Sequence, residues 1–469
     1  MNVLFVHPNF PAQFGHIAHH LAANRGWTCA FVSETQPGRQ TFESGGSLEK
    51  IQYKTAGGAT RSNHFCTRTF ENTVWHCDGV LRAMADRPDV KPDLIVGHSG
   101  FGSTLFLREL YPDVPVVNLF EYFYLGHDEQ SDMTFRRDLA WPTEPEKFLR
   151  SRCRNAMILL DLQNCQVGYC PTPFQRSRFP DEYESKLRVC FDGIDTDVWN
   201  SRDDTLRKPL SDRPERELLG VKLPAGAKIV TYCARGFESM RGFDIFMKGV
   251  RQILDRDKDV HVFIAGTERI AYGGDEQHTG GKSFKQWTLD LPDVAGYDAS
   301  RVHFLGRVDP RLLAELLATG DLHIYLTVPF VLSWSMINAL ACGATVLASD
   351  TAPVRDAIED GKTGLLFDFF DPQALADRAI EVLSDPQAFR HLGHAAEQLV
   401  RDEYSLAVTL PRMLEMYEDA ATITTGLESP RPRPRLAPLS KPTPPPSPGG
   451  SMNSWSTSSF KPSPNPFAG

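Results

Sequence analysis

The 469-residue sequence has no apolar run long enough to cross a membrane. A spanning helix needs about 18 or more apolar residues in succession, whereas the apolar stretch at the N-terminus covers only residues 3–6 (VLFV) and runs directly into His7 and Pro8. That stretch is also too short for a secretory signal peptide and follows no basic segment. The sequence therefore predicts a cytoplasmic protein whose contact with a membrane is at most peripheral, at the inner face.

Several classes of site are missing as well. The nine cysteines are scattered and form no C-x-x-C pair, which excludes a disulfide framework and a zinc knuckle. The sequence has no G-x-S-x-G motif of a serine hydrolase, and its histidines lack metal-ligand spacing. Acidic residues outnumber basic ones by 59 to 50, and a net charge of −9 has the wrong sign for binding a nucleic acid backbone. We therefore expect no bound metal and no nucleic acid partner.

Two series of short apolar segments alternate with longer segments of helical period. This alternation is typical of βαβ units and of parallel sheets. The first series of predicted strands runs from residues 3–6 to 187–191, and the second from 228–233 to 344–349. The pattern predicts an α/β chain of two Rossmann-like, doubly wound domains that face each other across a cleft.

The composition also predicts where these domains begin and end. We assign residues 1–200 to the first domain and 227–425, with closing helices, to the second. Residues 201–226 between them are polar and contain proline, which is typical of an interdomain connection. The segment 426–469 is rich in serine and holds 12 of the 34 prolines, a composition that predicts a disordered tail.

Doubly wound domains bind ligands at the carboxyl ends of their strands. Gly15 follows the first strand, near the start of the first helix, where a glycine lets a diphosphate approach backbone N–H groups. A plain tight turn explains this glycine equally well. The loop lacks the G-x-G-x-x-G pattern, which argues against a nicotinamide-dependent dehydrogenase.

Two arginines follow the first strand of the predicted second domain, in CARGFESMRGFDIFMKGV. On such a strand-to-helix loop, Arg235 and Arg241 are placed to hold a diphosphate with their planar guanidinium groups. At 4 Å and an effective dielectric constant near 20, each contact is worth about 4 kcal/mol before desolvation. We predict both as donor-binding and catalytic residues, with solvated loop arginines as the alternative.

In the predicted first domain, His98 ends the strand DLIVGH and Glu121 follows VVNLF. An imidazole in the cleft can bond a sugar hydroxyl or orient an acceptor, and we predict His98 as a catalytic residue and, with Glu121, as part of the acceptor side. A histidine bonded to loop backbone and a carboxylate that caps the loop are the alternatives. We expect Asp192 and Asp195, in FDGIDTDVW, to shape the turn between the domains.

The segment 323–369 contains TVPFVLSWSMINALACGATVLASDTAPVRDAIEDGKTGLLFDF. Together with RGFDIFMKGV and FDGIDTDVW, in this order along the chain, it resembles the signature of the family 4 glycosyltransferases, and especially a branch with a PFVLSWS loop. The resemblance covers about residues 1–425. It implies the GT-B fold, in which two Rossmann-like domains enclose the active site.

The resemblance also implies an activity. Such an enzyme transfers a sugar, typically a hexose, from a nucleotide-diphosphate sugar to an acceptor hydroxyl with retention of anomeric configuration and without a metal or a further cofactor. The donor lies on the second domain, where Ser333 is expected to cap a helix and the backbone N–H groups of Trp334 and Ser335 to point at the sugar or the phosphates. The acceptor, whether saccharide, lipid-linked or small-molecule, is not readable from the sequence.

Three positions depart from the family pattern. Alignment on ALACG puts Phe330 and Asn338 where the family usually has glutamates near the sugar and the ribose. Replacing a charged hydrogen bond with a neutral one at Asn338 loses roughly 0.5–2 kcal/mol of ribose binding. Phe191 likewise stands where related sequences often have histidine. These departures keep two alternatives open: a non-catalytic nucleotide-sugar-binding or scaffold subunit, and a nucleotide-sugar epimerase of the same fold.

Overall fold

A computed structural model of the chain consists of two parallel sheets with helices on both faces. The structure describes residues 1–35, 48–101, 104–127, 132, 134–139, 141, 145–201 and 208–423. The predicted tail at 426–469 lies outside the described residues. None of the helices in the described part of the chain combines the length and the apolar character that spanning a membrane requires.

Seven parallel strands form the first sheet, in the order β3-β2-β1-β4-β5-β6-β7. The winding reverses between β1 and β4, which pair directly. Strands buried on both faces are typical of such sheets, and β4 and β5 are buried throughout. The strands are β1 (Asn2–Val6), β2 (Thr28–Glu34), β3 (Leu48–Tyr53), β4 (Leu94–His98), β5 (Val116–Leu119), β6 (Val167–Cys170) and β7 (Leu187–Val189), and the helices are α1 (Gly15–Asn24), α2 (Arg68–Ala85), α3 (Pro145–Asn164) and α4 (Pro173–Ser177).

The second sheet has six parallel strands in the order β12-β11-β10-β13-β14-β15, with its reversal between β10 and β13. An antiparallel hairpin, β8 (Arg216–Leu218) and β9 (Val221–Leu223), precedes it. The strands are β10 (Lys228–Gly236), β11 (Val260–Thr267), β12 (Val302–Gly306), β13 (Leu322–Tyr325), β14 (Val346–Ser349) and β15 (Leu365–Phe367), and the helices are α5 (Phe243–Arg256), α6 (Phe284–Leu289), α7 (Pro310–Thr319), α8 (Trp334–Ala341), α9 (Ala352–Arg355), α10 (Pro372–Ser384), α11 (Arg390–Leu399) and α12 (Leu406–Thr422).

The two doubly wound sheets confirm the predicted fold class. The domain boundaries stay a prediction. Within the predicted connection the structure places the β8–β9 hairpin, whose Leu218 and Leu223 pack with Ile229 and Phe263 of the second sheet. Part of this polar-looking segment therefore contributes to a hydrophobic core.

Helix α12, the last one in the described part of the chain, returns to the first sheet. Met413 and Tyr417 of α12 are buried against Val3 and Phe5 of β1. Where the chain crosses back, Ile194 and Ser405 form a parallel bridge, with hydrogen bonds from Ile194 N to Tyr404 O at 2.8 Å and from Leu406 N to Ile194 O at 2.9 Å. The two chain crossings between the sheets thus lie side by side.

Gly193 allows this close approach. Its φ of +93° is one that L side chains rarely adopt. A Cβ at this position would lie 2.6 Å from Cδ2 of Leu406. The glycine is therefore required both by the backbone conformation and by the packing of the second crossing.

Candidate active site

The reversals of the two sheets place the loops that follow β1, β4 and β5 opposite those that follow β10 and β13. One hydrogen bond shows the contact directly: the Tyr122 hydroxyl, just after β5, donates to the Pro329 carbonyl, after β13, at 3.1 Å. Ligand crevices of α/β sheets lie at such reversal points. Loops that carry candidate residues in both halves of the sequence therefore face each other, and we call the space between them the cleft.

His98 and Glu121 meet on the first-domain side of this cleft. His98 ends β4 and is buried, and its Nε2 lies 3.5 Å from Oε2 of Glu121. Its Nδ1 bonds the Ser99 carbonyl at 2.6 Å, which favours a proton on Nδ1. The Gln13 amide, ahead of α1, donates to Oε1 of Glu121 at 2.9 Å. The ring thus bonds loop backbone, as the structural alternative has it, and also contacts the Glu121 carboxylate, while a role of His98 toward an acceptor stays a prediction.

His98 and Glu121 shift each other's pKa. Burial disfavours the charged imidazole, but the Glu121 carboxylate outweighs it and the pKa of His98 is raised. Burial also works against the charged form of Glu121, but His98, Gln13 and the charge of Arg235 outweigh it and its pKa is lowered. The imidazolium and carboxylate forms stabilise each other.

Asp192 is a third ionisable group of this cluster, and it is buried. The Trp334 indole N–H, from the second domain, donates to its Oδ2 at 3.2 Å, and Oδ1 has no hydrogen-bond partner among the described residues. Burial, followed by the negative charge of Glu121, raises the pKa of Asp192 to about 7. Asp192 thus lies in the cleft, whereas Asp195 accepts a bond from its neighbour Asp197 N at 3.0 Å and does shape the turn.

Arg241 lies in a short 3-10 turn between β10 and α5 and is buried. Its Nη1 donates to the Thr327 hydroxyl at 2.6 Å, and its guanidinium lies 5.2 Å from the centre of the Tyr272 ring. Arg235, at the end of β10, is half-buried. Its charge acts on Glu121 across the cleft. Burial rules out the solvated alternative for Arg241, whereas Arg235 is partly exposed, and the contact of either arginine with a diphosphate stays a prediction.

The PFVLSWS loop leads into α8, and Ser333 caps that helix as expected. Its hydroxyl accepts a bond from Ser335 N at 3.2 Å and lies 2.8 Å from the Ser335 hydroxyl. Trp334, the first residue of the helix, is 43% exposed. Asn338 lies one turn further on, and its Oδ1 has no hydrogen-bond partner among the described residues. Ligand binding by these four residues stays a prediction.

Gly15 begins α1 with an ordinary helical φ of −59°. A Cβ there would lie 2.7 Å from Cβ of Pro11. Packing against Pro11 therefore accounts for this glycine, and a role in diphosphate binding stays a prediction.

The two phenylalanines that depart from the family pattern are buried in aromatic contacts. Phe330 lies between Tyr122 and Tyr272, with ring centres 4.7 and 5.3 Å away, and Phe191 packs against Tyr404 at 5.2 Å. Both fill hydrophobic space between chain segments. Within the described ranges, no group of three or more His, Cys, Asp or Glu side chains is arranged to hold a metal ion.

Two further ionisable groups near His98 are not among the residues predicted from the sequence. The His7 ring, directly after β1, lies 5.3 Å from the His98 ring. Asp161 of α3 accepts a bond from the Ser99 hydroxyl at 2.9 Å, and burial raises its pKa to about 7. His7 could have been predicted as a site residue because it directly follows β1. Asp161 could have been predicted because it is an acidic residue within the apolar run MILLDL.

Comparisons with known proteins agree with this geometry. A sequence model described as "Glycosyl transferase family 4 group" matches residues 25–199, and one described as "Glycosyl transferases group 1" matches residues 227–385. The D-inositol 3-phosphate glycosyltransferase of Corynebacterium glutamicum (strain R) is 26% identical over 350 residues, which are 73% of this chain and 76% of that protein.

Two solved structures have a similar fold. The sucrose-phosphate synthase from Thermosynechococcus elongatus has a TM-score of 0.66 at 17% identity, covering 89% of this chain and 98% of that one. Anabaena HepE in complex with UDP and glucose has a TM-score of 0.61 at 16% identity, covering 89% of this chain and 100% of that one. Because the two family matches fall in chain order on the two sheets and together cover more than half of the sequence, the chain belongs to the family 4 glycosyltransferases and has their GT-B fold.

Proposed function

We propose that this chain is a retaining, hexosyltransferase-like glycosyltransferase that uses a nucleoside diphosphate sugar as its donor. The observation that carries the proposal is the pairing of opposite charges across one cleft. His98 and Glu121 lie 3.5 Å apart on one wall, and Arg235 of the other wall acts on the same carboxylate. A departing diphosphate is stabilised by cations on one wall, and an acceptor hydroxyl is oriented by hydrogen-bonding groups on the other.

On the donor side, Arg235 and Arg241 compensate the negative charge that builds up on the departing nucleoside diphosphate. Arg241 is held by Thr327 and faces the Tyr272 ring, so its guanidinium is oriented before the substrate arrives. Fixed cations in a site that excludes water stabilise such charge without reorganisation. The N-terminus of α8, at Ser333, Trp334 and Ser335, adds backbone N–H groups of the kind that bind phosphates.

The nucleoside is proposed to lie next to Asn338, whose carboxamide takes the place of the usual glutamate at the ribose. Anabaena HepE was solved with UDP and glucose, and we propose UDP- and GDP-sugars as the first donors to test. We propose no metal and no further cofactor.

On the acceptor side, Glu121 and His98 bond and orient the acceptor hydroxyl. Front-face transfer then lets an oxygen of the departing phosphate take the hydroxyl proton while the hydroxyl oxygen bonds the anomeric carbon. Because the two groups stabilise each other in their charged forms, Glu121 is a hydrogen-bond acceptor for the substrate. The relative from Corynebacterium glutamicum is named for D-inositol 3-phosphate, which makes inositol phosphates one acceptor class to test beside saccharides and lipid-linked acceptors. The cytoplasmic location and a peripheral membrane contact stay predictions.

The test is turnover of a donor and acceptor panel. The purified protein is mixed with UDP- and GDP-hexoses, with and without each acceptor, and release of the nucleoside diphosphate is followed. The anomeric configuration of the product is read by NMR, and the reaction is repeated with EDTA. Acceptor-dependent release with retained configuration supports the proposal. Inversion of the anomeric configuration contradicts the retaining mechanism, and loss of turnover in EDTA contradicts metal independence. If no donor binds, the whole proposal is contradicted.

One observation favours a second candidate, a non-catalytic nucleotide-sugar-binding subunit. Both family glutamate positions are occupied by uncharged residues, Phe330 and Asn338, and Phe330 is enclosed by Tyr122 and Tyr272. If this candidate is correct, calorimetry will show donor binding, and none of the acceptors will cause release of the nucleoside diphosphate. An epimerase is recognised by conversion of the donor sugar without any acceptor.

A further inference from the structure

A segment of the first domain lies across the second domain. We call residues 134–139 and 141, in the loop region between β5 and α3, the strap. Phe135 of the strap packs against Phe369 and Phe370 with ring centres 5.2 and 4.9 Å away. Trp141 stacks on His278 at 4.7 Å. The strap thus contacts the second domain at two places, one directly after β15 and one in the loop region between β11 and α6.

Arg136, between these two aromatic contacts, uses all five of its N–H groups. Nε and Nη2 donate to Asp138 of the strap at 2.8 and 2.7 Å. Nη1 and Nη2 donate to the Asp244 carboxylate of the second domain at 3.1 and 2.6 Å, and Nη1 also donates to the Ser239 carbonyl at 2.5 Å. The Arg136 and Asp244 side chains are only 8% and 1% exposed. Such a fork geometry fixes both partners, which a single point charge does not.

The two acceptors on the second domain flank Arg241. Ser239 begins the 3-10 turn that contains Arg241, and Asp244 lies in the first turn of α5 immediately after it. Arg136 therefore bonds the backbone before this arginine and the side chain after it. The segment between the two bonds contains only Met240, Arg241, Gly242 and Phe243.

The opposite side of the same turn is bonded within the second domain. Ser239 N and its hydroxyl both donate to Asp275 at 2.7 Å. Glu238, one residue earlier, accepts bonds from Ala271 N and Tyr272 N at 2.9 Å each. Because the Tyr272 ring in turn faces the Arg241 guanidinium, the turn and its neighbouring loop form one bonded unit, and Arg136 bonds this unit to the first domain.

We propose that Arg136 is a positioning residue through which the first domain sets the conformation of the Ser239–Asp244 turn. Through this turn, Arg136 sets how tightly Arg241 binds the donor. The inference rests on the proposed donor role of Arg241. It makes donor affinity depend on contact between the domains, because the second domain alone lacks Arg136. A merely structural ion pair would instead stabilise the domain contact without changing how tightly nucleotide binds.

The experiment compares R136A and R136K with R137A in the full-length protein. Arg137 is the adjacent arginine, is exposed, and serves as the matched control. Calorimetry measures the Kd of UDP and of GDP, initial rates give KM for donor and for acceptor, and thermal unfolding gives Tm. R136K keeps the charge but not the five-donor fork, so it reports on geometry even where R136A fails to fold.

We expect R136A and R136K to weaken nucleotide binding about tenfold, within the range of coupling between parts of a protein. Donor KM rises while acceptor KM and the R137A values stay at the wild-type level. Unchanged nucleotide affinity with a lowered Tm overturns the inference and leaves the proposed function intact. If the wild type binds neither nucleotide nor nucleotide sugar, the proposed function fails, and the inference fails with it.

Discussion

The indole N–H of Trp334 donates a hydrogen bond of 3.2 Å to Asp192, a residue of the other half of the chain. The tryptophan begins α8 of the second domain, and the buried aspartate follows β7 of the first. This bond therefore links the proposed donor helix to the proposed acceptor wall, and it satisfies one oxygen of a carboxylate whose other oxygen has no partner among the described residues.

Replacing Trp334 with phenylalanine tests the strength of this link. W334F leaves the buried Asp192 carboxylate without its donor, which should cost about 1–3 kcal/mol of unfolding free energy. Because burial holds the pKa of Asp192 at about 7, the loss is largest at pH 8, where the group is charged, and smaller at pH 5.5. Urea unfolding at both pH values is the measurement. W75F is the control, since Trp75 donates a similar bond, at 3.0 Å, to the partly exposed Glu71. Equal losses at the two pH values would contradict the assignment.

Asp161 should make the protein less stable as the pH rises. Its pKa is about 7 in the folded protein because of burial, against about 4 in an unfolded chain. Between these values the unfolded state loses a proton that the folded state keeps, so folding stability falls as the pH rises from 4 to 7. D161N stays neutral in both states and should gain on the order of 2–4 kcal/mol relative to the wild type across this window.

Unfolding in urea at pH 4.5 and pH 7.5 measures this difference. D113N, at an exposed position, is the matched control and should show no comparable change. A constant difference between D161N and wild type over the window would contradict the raised pKa of Asp161 in the folded protein.

Removing the Glu121 carboxylate should lower the pKa of His98. In E121Q the burial of the imidazole remains, while the partner that outweighs it is gone. Titration of the His98 ring signals by NMR is the direct measurement, and the limb of the pH–rate profile that reports this histidine should move to lower pH with it. E109Q, at an exposed position ahead of β5, should leave the titration unchanged. A His98 pKa that is the same in E121Q and wild type would contradict the pairing.

The two arginines of the donor wall should matter more to turnover than to folding. R235A and R241A should each lose on the order of 3–4 kcal/mol of transition-state stabilisation, about a hundredfold or more in kcat. R256A, an exposed arginine on α5 that pairs with Asp377, is the control. Thermal unfolding shows whether the buried Arg241 variant is still folded. Donor turnover that is unchanged in both variants would remove the diphosphate assignment.

Restoring the family residue at position 338 should tighten donor binding. N338E replaces a neutral hydrogen bond to the ribose with a charged one, a gain of roughly 0.5–2 kcal/mol, or up to about thirtyfold in affinity. Calorimetry with UDP and GDP measures it, and N338D, whose carboxylate is one methylene shorter, is the control for reach. Weaker or equal binding by N338E would show that the ribose does not contact this position.

Much of the fold follows from local patterns. Strands β1 and β4 are short, mostly apolar runs and β10 has an apolar core, and the sequence predicts each of them. The edge strand β3 was missed because only Ile51 and Tyr53 of its six residues are buried, so it has little apolar signal. The hairpin β8–β9 was missed for a similar reason, since two leucines in a polar segment do not indicate a core.

The candidate site divides in the same way. His98 and Glu121 end neighbouring strands, so their proximity follows from the order of the sheet. Asp161 and Asp192 become part of the site only through packing of α3 and the approach of α8, which local spacing does not encode. Arg136 is the extreme case, because its acceptor Asp244 is 108 residues away in another domain.

The side-by-side passage of the chain at Ile194 and Ser405 has a mechanical consequence. The chain passes between the two sheets twice at this place, and the two passages are hydrogen-bonded to each other. Truncation before residue 405 would leave a single covalent connection between the two sheets. It would also expose the apolar surface around Phe5 that Tyr417 covers. Helix α12 therefore contributes both to the connection between the two sheets and to the core of the first sheet.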